Sequence, residues 1–340
     1  MPEFSKRFEF GNYTLNFGDQ KVLLDLLEEI VAPSFHEMKH IRTIKNRGQY
    51  FFIDTEIVNL GEEKEGPILG IAGRIVKNTK LKRDQIFRNG IVEDKSELET
   101  APSSTFLLIL NNHRLVFCRE VPGAPTLQNF QSTSHFCLRQ EHKAYIERQF
   151  NENEGARGED PAVKKIPKRV LLEETPYPTL RITPLSDSQE LRDFINRFSQ
   201  IEKLSIKLLP TNKEEIDNDE FWADFGRRRE SMNSNAARVE FSNPQEGLDR
   251  KSVYTQAKSA SNLGNSEIDF RGHDAHGDTI KGNNEDFSLS IEVEDIPKNP
   301  GKAAIIKYRE FQRLAKEGLI SLPKLHEATW EKIKEITKRL

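Results

Sequence analysis

An α+β fold, with two mixed, largely antiparallel sheets packed with helices and a helical C-terminus, is what this chain predicts. Three observations lead there. Residues 50–121 hold two pairs of β-rich runs, each pair joined by a turn-forming segment. Apolar residues recur at helical spacing at Leu23, Leu26, Leu27 and Ile30, and again at Leu191, Phe194, Ile195 and Phe198. From Ile306 onward the pattern is helical to the end of the sequence, apart from one break.

In chain order, a short strand at residues 13–17 precedes the first amphipathic helix, which Pro33 limits at its C-terminal end. Residues 50–60 and 68–77 read as a hairpin around the charged, glycine-flanked GEEKEG. Residues 105–110 and 114–121 repeat the arrangement, with Asn111-Asn112 supplying the turn. A helical stretch at 140–150 leads into NENEGARGEDPAVKKIPKR, where glycine, proline and dense charge leave almost nothing to bury. The expected organisation is therefore an N-terminal α+β domain over 1–152, a charged linker over 153–176 and a C-terminal α+β domain over 177–340.

In the second domain residues 179–183 predict a strand, and Ser186 with Gln189 has capping-box spacing ahead of the helix at 191–198. A strand at 204–209 ends at Pro210, and Thr211 with Glu214 repeats the capping spacing before a helix through Phe221, Trp222 and Phe225 to Arg229. A strand at 239–241, a helix at 248–260, strands at 267–273 and 288–293, and two helices separated at 318–323 complete the reading. No repeat of fixed period and no heptads occur, which removes solenoids and propellers.

A chain of 340 residues is long enough for two separate cores, and its 21 phenylalanines mark the material from which they are built. The 51 Lys+Arg and 54 Asp+Glu nearly cancel, so a formal net charge of −3 supplies no overall field for nucleic acid or an anionic membrane. Such binding has to be local. The only cysteines, Cys118 and Cys137, form neither a disulfide framework nor a zinc array, and their apolar neighbours mark them as buried thiols. MPEFSKRFEF lacks the apolar core of a signal peptide, and no window reaches the roughly 18 apolar residues of a membrane span. A cytoplasmic location and no membrane partner are the expectation.

Two constellations carry candidate chemistry. RGHDAHGD places His273, Asp274, His276 and Asp278 within six residues, a set able to ligate a divalent metal. The same letters are ordinary turn chemistry, with Gly277 suited to positive φ and the aspartates to Asx-turns. Arg227, Arg228 and Arg229, beside Phe221, Trp222 and Phe225, are the candidate nucleic-acid contact, with arginines on phosphates and an aromatic face stacking a base. Against this, three consecutive arginines on a helix point in three directions, and charge runs are usually solvated faces. Further basic clusters lie at Lys164, Lys165, Lys168 and Arg169, and at Lys77, Lys80, Lys82 and Arg83.

His113, His135 and His142 fall in no recognisable nucleophile–base arrangement with either cysteine. The chain lacks GxxxxGK[ST], GxGxxG after a strand and GxSxG, and the HExxH letters at His36-Glu37-Met38-Lys39-His40 lie beyond the helix that Pro33 limits and so form no zinc helix; nucleotide hydrolysis, dehydrogenation and zinc proteolysis lose their usual support, and no catalytic residue is named.

ILGIAGRIVKNTK, STFLLILNNHRLVF, IEKLSIKLLPTN followed by FW, and the glycine-punctuated hairpin from Glu267 to Val293 resemble an uncharacterised family of prokaryotic proteins of unknown function. Members of that family sit at times near phage-defence or mobile-element genes, and the resemblance implies that setting without supplying catalytic residues. The expectation is a non-catalytic component that binds nucleic acid or a partner protein and needs no cofactor. Two rivals stand beside it. One is a metal-dependent nuclease or phosphoesterase using the 273–278 cluster and a divalent metal. The other is a protein-binding scaffold or inhibitor whose sheets offer edges for β-augmentation.

Overall fold

The computed structural model describes residues 4–18, 21–61, 66–160, 162–209, 212, 215–216, 220–234 and 236–339. The strands are β1 (Lys6–Phe17), β2 (Lys21–Val22), β3 (Arg42–Ile44), β4 (Gly48–Asn59), β5 (Leu69–Phe87), β6 (Ile91–Thr100), β7 (Ser103–Ile109) and β8 (Arg114–Arg119). They continue with β9 (Pro178–Pro184), β10 (Gln200–Leu208), β11 (Glu215–Ile216), β12 (Ala237–Ser242), β13 (Ser266–His273), β14 (Thr279–Asn283), β15 (Ser290–Val293) and β16 (Lys324–Leu325). The helices are α1 (Ala32–Ser34), α2 (Leu127–Glu159), α3 (Lys168–Glu174), α4 (Ser188–Asn196), α5 (Glu220–Ser231), α6 (Arg250–Ser261), α7 (Pro300–Lys316) and α8 (Glu327–Arg339).

The architecture is α+β. A ten-stranded sheet runs β15-β1-β8-β7-β5-β4-β3, with β2 and β9 also on β1 and β6 on β5, and a four-stranded sheet runs β12-β10-β13-β14. Every pairing described is antiparallel.

Strand alternation builds two cores on the large sheet. Tyr13, Leu15 and Phe17 of β1, Phe106 and Leu108 of β7, and Leu115 and Phe117 of β8 face α2 and the segment from Leu23 to Phe35. Their neighbours Phe8, Phe10, Leu107, Ile109, Val116 and Cys118 face α7 on the opposite side. Period-2 spacing is the cause, since adjacent side chains leave a strand in opposite directions. Phe35, Phe52, Phe106, Phe117 and Phe130 form a contiguous aromatic cluster under α2, with the Phe106 and Phe130 centroids 4.8 Å apart. Phe194, Phe198, Phe270 and Phe287 form the corresponding cluster under the small sheet.

Several elements differ from the sequence expectation. The first helix is a 3₁₀ turn (Leu23–Leu26) followed by a π turn (Leu27–Val31) and α1, so Pro33 lies inside the helical segment, in the first turn of α1, and not at its C-terminal limit. The N-cap of α4 is Asp187, whose carboxylate accepts from Gln189 N and Glu190 N, whereas Ser186 bridges to Ser288. Pro210, Thr211, Glu214 and most of GEEKEG lie outside the described residues.

The expected linker over 153–176 is no boundary between sheets. α2 continues through Glu159, and Asn153 ties the returning chain to it by accepting from Ile166 N at 2.8 Å and donating to Lys164 O at 3.1 Å. The next strand, β9, joins β1 of the large sheet, and so does β15 after more than a hundred further residues. β9 takes β1 residues 11–17 and β15 takes residues 6–9, end to end along one side. The small sheet is thus inserted between two strands of the large one. The chain enters and leaves it side by side, with Asp187 N donating to Phe287 O and Leu289 N to Leu185 O.

Candidate functional site

The three arginines of α5 separate as helical geometry requires. Arg227 and Arg228 are exposed and both pair with Asp224, Arg228 Nε donating at 2.7 Å. That contact with Arg228 holds the Asp224 carboxyl below the usual carboxylate range. Arg229 turns inward, is 5% exposed and donates to Leu209 O. Phe225 packs against the small-sheet core, and the side chains of Phe221 and Trp222 lie outside the described residues. The structure therefore brings Arg227 and Arg228 together on one surface and assigns Arg229 to packing.

His273, Asp274, His276 and Asp278 form the β13–β14 turn. Asp274 accepts from His276 N at 2.8 Å and Asp278 N at 2.9 Å, and the backbone donors, that of Asp278 foremost, hold its carboxyl below the usual range. His273 is engaged on both sides, by Glu202 at 3.0 Å and Gly277 O at 3.1 Å. Gly277 has φ +84°, as the turn demands. Among the described residues no group of three or more His, Cys, Asp or Glu side chains is placed to hold a metal ion.

Cys118 and Cys137 are buried, and desolvation pushes their thiols up to about 11 and about 12, away from nucleophilic use. His135 contacts Pro178 O at 3.0 Å and His142 contacts Thr175 O at 2.8 Å, so both fasten α2 to the chain entering β9. Lys307, fully buried on α7, donates to Thr105 Oγ1 at 2.9 Å.

Two adjoining hollows of about 380 and 410 Å³ form a groove where the start of α2 meets β9 and the small sheet. Arg181 and Glu267 pair across it, and Arg119 pairs with Glu9 at 3.1 Å. Burial raises the Glu9 carboxyl despite Arg119 and Arg7, with Glu285 adding to the rise. The basic side chains Arg119 and Arg181 of the groove are thus engaged, and Asp269 and Glu285 add negative charge to its lining.

The feature that sequence reasoning missed is an arm. β5 does not stop at Lys77 but runs to Phe87. Its partners β7 and β4 end at Val76↔Ser103 and Asn78↔Gln49, and from Thr79 outward, among the described residues, β5 pairs with β6 alone. Arg88, Asn89 and Gly90 turn the tip, with Asn89 at φ +54° and Gly90 at φ +150°. That Asn-Gly pair between β-forming residues is the signal that was legible. Leu81 (58%), Leu98 (65%), Phe87 (78%) and Ile91 (68%) are exposed on it. The basic cluster Lys80, Lys82 and Arg83 also lies here. It is neutralised across the ribbon, Lys80 and Lys82 by Glu97 at 3.3 and 3.2 Å, and Arg83 by Asp94.

No helix among the described residues is long and apolar enough to cross a membrane. No protein-family model matches the chain, and no curated protein matches it.

Proposed function

We propose that this protein acts as a non-catalytic binding component whose ligand is another polypeptide, held by the β5–β6 arm. The observation that carries the reading is the exposure of Leu81, Leu98, Phe87 and Ile91 on a two-stranded ribbon whose outer edges have no strand partner among the described residues. A lone ribbon is marginal in water, and exposed apolar side chains at its surface lower the free energy when a partner covers them. Open strand edges add main-chain hydrogen bonds to such a contact. The setting in a bacterial defence or mobile-element system rests on the resemblance alone. The nucleic-acid reading keeps Arg227 and Arg228, already paired with Asp224, and loses Arg229 to the interior. The metal-dependent rival keeps no preference, because Asp274 and His273 are engaged by the turn and by Glu202.

The test places a photo-crosslinking residue at Phe87 in the producing cell, with one at exposed Lys143 as control. A discrete protein adduct specific to position 87 is expected. Adducts equal at both positions, or only to nucleic acid, would overturn the reading.

A further inference from the structure

The partner-protein reading can be sharpened to a partner, and this step rests on that reading. We infer that the arm packs on the arm of a second copy of this chain.

Register determines which side chains share a face. The rungs Thr79↔Thr100, Leu81↔Leu98 and Arg83↔Ser96 are followed by a bulge, then by Gln85↔Glu93 and Phe87↔Ile91. On β5 these are alternate residues, so their side chains leave on one side. The extra β6 residue between Ser96 and Glu93 absorbs the shift and keeps the β6 partners on that side as well. Leu81 with Leu98, and Phe87 with Ile91, therefore form two apolar rungs on one face, with the Arg83–Ser96 and Gln85–Glu93 rungs between them. The other face carries Lys80, Lys82, Glu97 and Glu99, closed by their own cross-strand ion pairs, and near the tip the Ile86–Val92 rung.

The apolar face is self-complementary. Arg83 on β5 and Glu93 on β6 lie on it one rung apart across the bulge, where Arg83 also pairs with Asp94 of its own arm. A two-fold axis running along the ribbon lays each copy's β5 over the other's β6. Leu81 then meets Leu98, Phe87 meets Ile91, and Arg83, whose own-arm partner Asp94 is also on β6, comes beside Glu93 of the facing copy. Between Thr79 and Thr100 the arm holds five Lys or Arg and five Asp or Glu, so two arms approach without net repulsion. A contact of this size falls below about 1,200 Å² in total, which corresponds to weak association with a dissociation constant of micromolar order.

The experiment is sedimentation of the purified full chain across a concentration series reaching about 100 μM, a range that brackets micromolar association. The unmodified chain is expected to shift from monomer to dimer. Leu81→Asp combined with Phe87→Asp is expected to weaken dimerisation by ~30-fold or more, as for two contact residues each worth about 1 kcal/mol. Both positions are exposed, and circular dichroism checks that the fold is retained. As a second measurement, a short bismaleimide linker is added to a mixture of Leu81→Cys and Leu98→Cys chains, in which the native cysteines are buried. Preferential 81–98 linkage between chains supports the two-fold arrangement. A monomer at every concentration, or a dimer indifferent to the aspartates, overturns the inference. If the chain stays monomeric while Phe87 crosslinks to a different protein, the second copy is excluded and the partner reading stands. If neither occurs, both fall.

Discussion

Arg114 donates from Nη1 to Asn12 Oδ1 at 2.7 Å, and neither side chain has any surface in contact with solvent. Asn12 also accepts from Asn212 Nδ2 at 3.2 Å and donates to Asn265 Oδ1 at 2.8 Å. Both of those asparagines belong to the inserted segment that carries the small sheet, so one β1 residue fastens it to the large sheet. Asn12→Ala removes an acceptor from a buried cation and is expected to cost about 2–4 kcal/mol. Urea unfolding measures this, and a cost under about 1 kcal/mol would mean that the network does not join the sheets.

The arginine run separates into two behaviours. Arg229→Ala removes a buried donor to Leu209 O and is expected to lower stability by about 2–4 kcal/mol. Arg227→Ala with Arg228→Ala, both on the surface, is expected to leave the melting temperature unchanged within error. Thermal unfolding of the two variants side by side decides it. Equal losses would contradict the inward placement of Arg229.

His142 gives stability a pH dependence. Burial lowers its pKa below the ordinary 6.5, and contacts to the Thr175 and Pro176 backbone only partly oppose that. Between the lowered folded value and 6.5 the unfolded chain binds more protons, so this contribution is present above 6.5 and lost as pH falls through the folded value. His142→Gln, which preserves a donor to Thr175 O, is expected to flatten the fall in stability below pH 6.5. Urea midpoints at a series of pH values for both chains test this. An unchanged slope would remove His142 as the source.

Lys307 acts in a different window. Desolvation brings its ammonium down from 10.5 to about 8, with Cys118 and Glu120 opposing and Arg74 adding to the fall. Across pH about 8 to 10.5 the folded chain sheds a proton that the unfolded chain keeps, so this group makes stability rise with pH. Lys307→Met with Thr105→Val replaces a buried polar pair by apolar groups and is expected to raise stability at pH 7 by about 1–3 kcal/mol. It is also expected to abolish the alkaline rise in calorimetry. A destabilised variant would show that the lysine contributes more than its desolvation costs.

Gly282 of β14 lies against Phe194, where any Cβ would overlap the ring. Gly282→Ala is expected to cost about 1–3 kcal/mol by displacing the aromatic cluster of the small sheet. Near-ultraviolet circular dichroism and unfolding midpoints report on it, and an unaltered spectrum would show that the ring moves aside freely.

Much of the fold was legible within single segments. The buried face Leu191, Phe194 and Ile195, the alternation through Phe106 to Ile109 and the buried thiols follow from residue spacing and apolar neighbours. The polar tail of α2 was not, because a charged helix with little to bury reads as linker until Asn153 ties it down. Nor was the cap at Asp187, which lies one residue from Ser186, an equally suitable type. Of the candidate residues, Arg227 and Arg228 share a surface as the run suggests, while Arg229 does not. The arm was hidden because residues 78–100 alternate charge with a few apolar side chains and contain no core pattern, so the Asn89-Gly90 turn stood alone.

By itself the sequence determined the faces: which side of each helix and strand is apolar follows from periods of 3.6 and 2, properties of one segment at a time. The tertiary structure alone decided which strands are neighbours. Lys6 pairs with Val293 and Phe17 with Pro178, contacts whose partners no local pattern specifies. Where β5 loses β4 and β7 is likewise a matter of how far two other strands extend, and that is why an arm projects beyond residue 79. Strand pairing joins backbone groups common to every residue, so a segment can encode its own alternation without encoding its partner or the place where the partner ends.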